Sequence, residues 1–120
     1  MPISAAQLRR RRQALVQSLP PLIRASLRGS LIERYLRCGK PGCHCAAGRG
    51  HGPKYYLSVS YSGRRPEMQY VSQEQKAEVE KLLQNFQEAW GILEKIFAIN
   101  RELLRRQRDK QRRHARFRKG

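Results

Sequence analysis

The sequence predicts an α+β fold: a small three-stranded antiparallel sheet with a Cys-rich loop, a short N-terminal helix and one long C-terminal helix. Three observations carry this. From Ser72 onward no proline interrupts the chain, and apolar residues recur at helical spacing. The stretch KYYLSVSY is aromatic, β-branched and alternating, which suits a half-buried strand. Just before it, CGKPGCHCAAGRGHGP holds five glycines and two prolines in sixteen residues, so its backbone is irregular.

Ser4 is placed to cap a helix over about residues 5–18, with Leu8, Leu15 and Val16 on one side. Pro20 and Pro21 are expected to end it, because proline lacks the N–H a helix interior needs. Residues 22–27 fit a further helical turn with Gly29 as its stop. From Ser30 the period becomes two: Leu31, Glu33, Tyr35 and Arg37 alternate with Ile32, Arg34, Leu36 and Cys38, which fits a strand. In the next strand Tyr55, Leu57 and Val59 share one face and Tyr56, Ser58 and Ser60 the other. Ser62-Gly63 opens a turn of about five residues, and residues 67–71 return as a partner strand with Pro66 only at its start.

Ser72 and Gln75 have the spacing of a capping box. Val79, Leu82, Phe86, Ala89, Leu93, Ile96, Asn100 and Leu103 then step alternately by three and four, a heptad seam. Leu83, Trp90, Phe97 and Leu104 form a second row beside it, so the apolar stripe is wider than a two-stranded seam needs. Phe86, Trp90, Leu93, Ile96, Phe97, Asn100 and Leu103 are the candidate surface for a second copy or a larger partner, with polar Asn100 setting register. The competing reading is that this face is only the intramolecular core.

The 120 residues include 26 Lys plus Arg against 9 Asp plus Glu, a formal charge of +17. Such a surplus repels itself and points to a polyanionic partner. The charge is uneven: residues 1–28 carry +6, 29–72 carry +5, 73–100 carry −2 and 101–120 carry +8. This divides the chain into a basic N-terminal helical arm (1–28), a sheet-plus-helix body (29–104) and an Arg-rich tail (105–120). The length excludes a large enzyme or multidomain receptor. No apolar run approaches the roughly 20 residues of a membrane span. The N-terminal stretch is too polar and proline-broken for a signal segment, and three crowded cysteines do not make a secreted disulfide framework, so a cytoplasmic protein is expected.

The expected function is nucleic-acid binding. Phosphate contacts are assigned to Arg9, Arg10, Arg11, Arg12, Arg49, Lys54, Arg64, Arg65, Arg105, Arg106, Arg108, Arg112, Arg113, Arg116 and Arg118. Base readout would fall to the cysteine loop, to tyrosines such as Tyr55 and Tyr61, or to the tail helix in a groove. A rival class is a protein–protein adaptor that docks its apolar helix face; a third reading is RNA rather than DNA.

Cys38, Cys43 and Cys45, with His51, read C-x4-C-x-C-x5-H. Three thiolates and an imidazole are a tetrahedral zinc set, which makes this a zinc-knuckle-like loop. The glycine-rich stretch has few apolar side chains to order it, and metal ligation offsets that entropy. His44 competes with His51 as fourth ligand. Arg37, Lys40, Arg49 and Lys54 would balance the negative charge of a Cys3His site. Reduced cysteines in a basic loop, or a redox or iron–sulfur role, are the alternatives.

GSLIERYLRCGKPGCHCAAGRGHGPKYYLS, followed by a glycine turn, a YV pair and a long helix, resembles a family of short bacterial proteins known only as a domain of unknown function. The resemblance covers about residues 28–104 and leaves the Arg-rich ends outside. It implies an aliphatic strand, a CGKPGCxC loop, an HGP-aromatic strand and a C-terminal helix, with Cys38, Cys43, Cys45 and His51 as metal ligands. Members are associated with transposons and other mobile elements, which tilts the expected partner towards DNA and the role towards an accessory or regulatory factor.

Catalysis is not expected. A nuclease would need clustered carboxylates for metal ions, whereas here the acids are few and five of the nine lie at solvent-like positions on the acidic helical stretch of residues 73–100. No P-loop, Gly-x-Ser-x-Gly or Ser/His/Asp set is present. Tyr55 and Tyr56 beside His51 suggest a tyrosine nucleophile only if a positioned base exists. Four protein ligands would also close a zinc site to hydrolysis.

Overall fold

The computed structural model describes residues 2–37, 39, 40, 42, 48 and 50–119, except the side chains of Arg118 and Lys119. The order is α1 (Ala5–Arg24), β1 (Ser30–Leu36), β2 (His51–Tyr61), β3 (Arg64–Val71) and α2 (Lys76–Lys119). The strands form one antiparallel sheet in the order β1-β2-β3. The expected α+β class therefore holds. No helix among the described residues is long and apolar enough to cross a membrane.

Two compact units emerge. A helical unit joins residues 1–24 to residues 87–120, and a sheet unit comprises residues 25–86. The helical unit thus brings together the two chain ends, which sequence order keeps apart.

In the helical unit, α1 opens with a reciprocal cap. The Gln7 N–H donates to Ser4 Oγ at 3.1 Å, and the Ser4 N–H donates to Gln7 Oε1 at 2.8 Å. The expected stop at Pro20 is overturned: α1 runs on to Arg24 with Pro20 and Pro21 inside it. Continuing the helix adds Leu22 beside Leu19 in the core formed with Ala89, Ile92, Leu93 and Ile96. That apolar burial offsets the two hydrogen bonds that Pro20 and Pro21 cannot donate to the Val16 and Gln17 carbonyls. The two helices run antiparallel here, since Leu19 packs at Ala89 and Ile96 while Arg12 reaches Asn100.

In the sheet unit, β1 pairs with β2 from Ser30↔Ser58 to Leu36↔His51, and β2 pairs with β3 from Tyr55↔Val71 to Tyr61↔Arg64. Each ladder carries a bulge: one extra residue on β2 opposite the Arg34/Leu36 step, and one on β3 opposite the Val59/Tyr61 step. The expected five-residue turn is only Ser62-Gly63, with Gly63 at φ 77°. The partner strand consequently starts at Arg64, not at residue 67. Pro66 then lies within the strand, at the β3 bulge, and is tolerated there because β3 is an edge strand.

Gly29 turns the chain into β1 at φ 142°, where a Cβ would lie 2.7 Å from the Ser58 carbonyl oxygen. No helical turn precedes it beyond Arg24. Instead the Leu27 N–H donates to the Leu82 carbonyl at 3.0 Å, and the buried Asn85 Nδ2 donates to the Ala25 carbonyl at 2.6 Å. The Ser72/Gln75 box forms as expected, with the Gln75 N–H on Ser72 Oγ at 3.2 Å and the Ser72 N–H on Gln75 Oε1 at 3.4 Å.

Candidate nucleic-acid interface

The helical unit holds 16 of the Lys and Arg residues and 4 of the acids, a formal +12. Its geometry gathers cations that are distant in sequence. An open groove of about 540 Å³ is lined by Arg9 and Arg12 from α1 and by Arg106 and Lys110 from α2, with Asn100, Leu103 and Leu104 along its wall. Arg12 donates from Nη1 to Asn100 Oδ1 at 2.9 Å. Arg9, Arg10 and Arg11 are exposed on the same helix.

Further along α2 the arginines divide into two groups. Arg105 is forked between Glu102 at 2.6 Å and Asp109 at 2.8 Å, and Arg106 reaches Glu102 at 2.8 Å. Hydrogen bonds from both arginines hold the Glu102 carboxyl down at about 2. The same contact raises the Arg105 guanidinium above its ordinary value. Arg108, Arg112, Arg113 and Arg116 lie exposed beyond this network. The Arg118 side chain lies outside the described residues.

The apolar positions divide as well. Ile96 is buried against α1 with Leu93 packed beside it, and Leu103 is half-buried. Phe86 is half-buried in the sheet unit. Trp90, Phe97 and Leu104 stay exposed, as do Val16 and Ile23 of α1. Each follows a covered residue by one position, and on antiparallel right-handed helices that offset turns both rows to the same flank. The helical unit therefore has an apolar flank beside its basic groove.

The sheet unit positions a second set of groups. Strand alternation puts Arg34, Lys54, Tyr56, Met68 and Tyr70 on one face, while Glu33, Tyr55, Leu57, Glu67 and Val71 take the other. Leu57 and Val71 are buried on that second face. Tyr55, expected to read bases, is half-buried there with the Lys76 ammonium 4.8 Å from its ring centre. That phenol, followed by Glu80, raises the Lys76 pKa. Two guanidiniums stand over the Tyr61 ring, Arg64 at 4.0 Å and Arg28 at 5.1 Å, and Arg64 also reaches Glu67 at 3.3 Å. Arg65 is exposed at the β3 bulge.

Sequence reasoning missed Tyr70, Arg34 and Arg28. Tyr70 is 57% exposed and meets Tyr56 edge to face, with ring centres 5.8 Å apart and planes at 70°. Arg34 stands 5.8 Å over the Tyr56 ring. The usable signal was the alternation of Met68 and Tyr70, but only the register showed that they share a face with Tyr56.

Of the expected metal set, Cys38, Cys43 and Cys45 lie outside the described residues, as do the rival His44 and the phosphate candidate Arg49. His51 opens β2, half-buried and paired with Leu36. Nearby, Arg37 Nη2 donates to the Gly48 carbonyl at 3.2 Å. Among the described residues no three His, Cys, Asp or Glu side chains gather to hold a metal ion.

A protein family described as Domain of unknown function (DUF6788) matches residues 5–81. The chain belongs to this family. The match starts at the first residue of α1, so Arg9, Arg10, Arg11 and Arg12 lie inside the shared region, where they had been expected to fall outside it. It ends early in α2, so the arginines from Arg101 onward lie beyond the DUF6788 region. No curated protein and no solved structure matches the chain.

Proposed function

We propose that this DUF6788 protein binds nucleic acid through its helical unit, as a non-catalytic accessory or regulatory factor. The observation that carries the reading is the groove where Arg9 and Arg12 meet Arg106 and Lys110. Two basic clusters almost a hundred residues apart converge on one concave surface, as contact with a continuous row of phosphates requires. The exposed arginines from Arg108 to Arg116 extend that row along α2. The mobile-element setting rests on the resemblance of the CGKPGCHC and HGPKYYLS strings, and with it the preference for DNA over RNA.

A structural zinc ion belongs to the same proposal. Cys38, Cys43, Cys45 and His51 would hold it, their chemistry being a closed tetrahedral thiolate–imidazole set. The pairing of Leu36 with His51 supports this, because it sets the residue two before Cys38 directly opposite the fourth ligand.

The test is salt dependence. Fluorescence anisotropy with a labelled duplex is expected to give an affinity that falls steeply as salt rises, with a logarithmic slope of about −0.9 per phosphate neutralised. Changing Arg9, Arg10 and Arg11 to Glu should flatten that slope and weaken every sequence alike. Absence of binding at low salt would overturn the reading. The adaptor alternative draws on the flank of Val16, Ile23, Trp90, Phe97 and Leu104. A transposase or ribonucleoprotein docked there would bind with little salt dependence, since the contact is apolar.

A further inference from the structure

We infer that the open face of the sheet is a stacking platform for unpaired bases, so that the sheet unit selects single-stranded over double-stranded nucleic acid. The inference rests on the nucleic-acid reading above and adds a site that the arginine clusters do not supply. Tyr70 projects from an edge strand with more than half its surface accessible. Its ring is braced edge to face by Tyr56, which is itself capped by the Arg34 guanidinium. Lys54 lies directly across from Arg34 on the same face. Two like charges set opposite each other on neighbouring strands repel, and an intervening anion relieves that cost. The acids of the strands, Glu33 and Glu67, alternate onto the other face.

These parts match what a single strand needs. A base has an apolar π-face that stacks on an aromatic ring, and its phosphate sits beside the cations that flank the ring. In a duplex that π-face is covered by neighbouring base pairs, so the exposed Tyr70 ring gains nothing from it. The structural alternative for Tyr70 is that it packs only on Tyr56, but an edge-to-face contact takes up at most one face of the Tyr70 ring, and the side chain stays 57% exposed. Stacking does not distinguish ribose from deoxyribose, so the ligand class is an unpaired DNA or RNA segment.

The experiment compares labelled twelve-nucleotide oligothymidylate, oligouridylate and a twelve-base-pair duplex by anisotropy, using the full chain and its Tyr70→Ala and Tyr70→Phe variants. The expected result is tighter binding of one or both single strands than of the duplex. That preference should fall about tenfold in Tyr70→Ala and persist in Tyr70→Phe, which keeps the ring. The arm that binds better identifies the sugar. Photocrosslinking of a 5-iodouracil oligonucleotide to Tyr70 should mark the same position in the wild-type chain. Equal, salt-sensitive binding of strands and duplex, unchanged by Tyr70→Ala, overturns the platform and leaves the arginine groove standing. No binding of any of the three at low salt overturns both.

Discussion

Arg12 and Asn100, separated by 88 residues in sequence, are joined by a 2.9 Å hydrogen bond from the guanidinium to the side-chain oxygen. Asn100 is the polar position on the heptad seam, the kind of residue that fixes register between paired helices. Its partner is an arginine of the same chain, on a helix that a charge count alone assigns to a free basic arm. The bond ties α1 to α2 in the groove that Arg9 lines together with Arg106 and Lys110.

Replacing Asn100 with Ala is therefore expected to destabilise the helical unit by about 1 kcal/mol, the usual worth of such a bond. Asn100→Asp keeps the acceptor and adds charge, so it should restore or exceed wild-type stability. Urea unfolding followed by circular dichroism measures both. Equal midpoints for the Ala and Asp variants would show that the bond contributes nothing.

Asn85 is buried and supplies the Ala25 carbonyl with a hydrogen bond. Asn85→Leu removes that donor. The expected loss is about 1 kcal/mol, the usual net worth of one such bond, because Ala25 is exposed and water can reach its carbonyl. Amide exchange around residues 25–27 should rise in parallel, because the adjacent Leu27 N–H bond to the Leu82 carbonyl loses its neighbour.

Gly29 has a positive φ and no room for a Cβ, which would meet the Ser58 carbonyl oxygen at 2.7 Å. Gly29→Ala should cost about 1–3 kcal/mol in backbone strain and displace the start of β1. Gly63 lies at φ 77°, in the left-handed region, with nothing within 4 Å of the Cβ position. Gly63→Asn should cost less, since Asn tolerates this backbone region. Thermal midpoints of the two variants check the ranking.

Glu102 carries a pH signature. Its folded pKa lies at about 2, below the ordinary 4.5, because Arg105 and Arg106 donate hydrogen bonds to it. As pH falls the unfolded chain therefore takes up the proton first. The stabilising contribution is complete above about pH 4.5 and is lost on acidification towards 2. The melting-temperature difference between wild type and Glu102→Gln should be constant from pH 8 to about 5 and shrink below that. The difference should also narrow at high salt, since these groups are partly exposed to solvent.

Metal content checks the zinc proposal independently of nucleic acid. The purified chain is expected to carry one zinc per molecule, and Cys43→Ser to carry far less. Metal-free wild-type protein with an unchanged sheet spectrum would remove zinc from the account.

What the sequence determined by itself was local. Ser4 with Gln7 and Ser72 with Gln75 start the helices through contacts three residues apart. The alternation of residues 54–61 makes a strand whatever lies beside it. The length of α2 follows from a proline-free, periodic stretch. Only tertiary structure decided the rest. Pro20 and Pro21 read locally as a stop, yet Leu19 and Leu22 found enough apolar surface on α2 to extend the helix past them. Register placed Tyr70 against Tyr56 and turned Tyr55 to the opposite face. Propensity and capping act between neighbours along the chain, whereas the groove and the tyrosine pair depend on which distant surfaces bury each other best, and that is an energy of the folded whole.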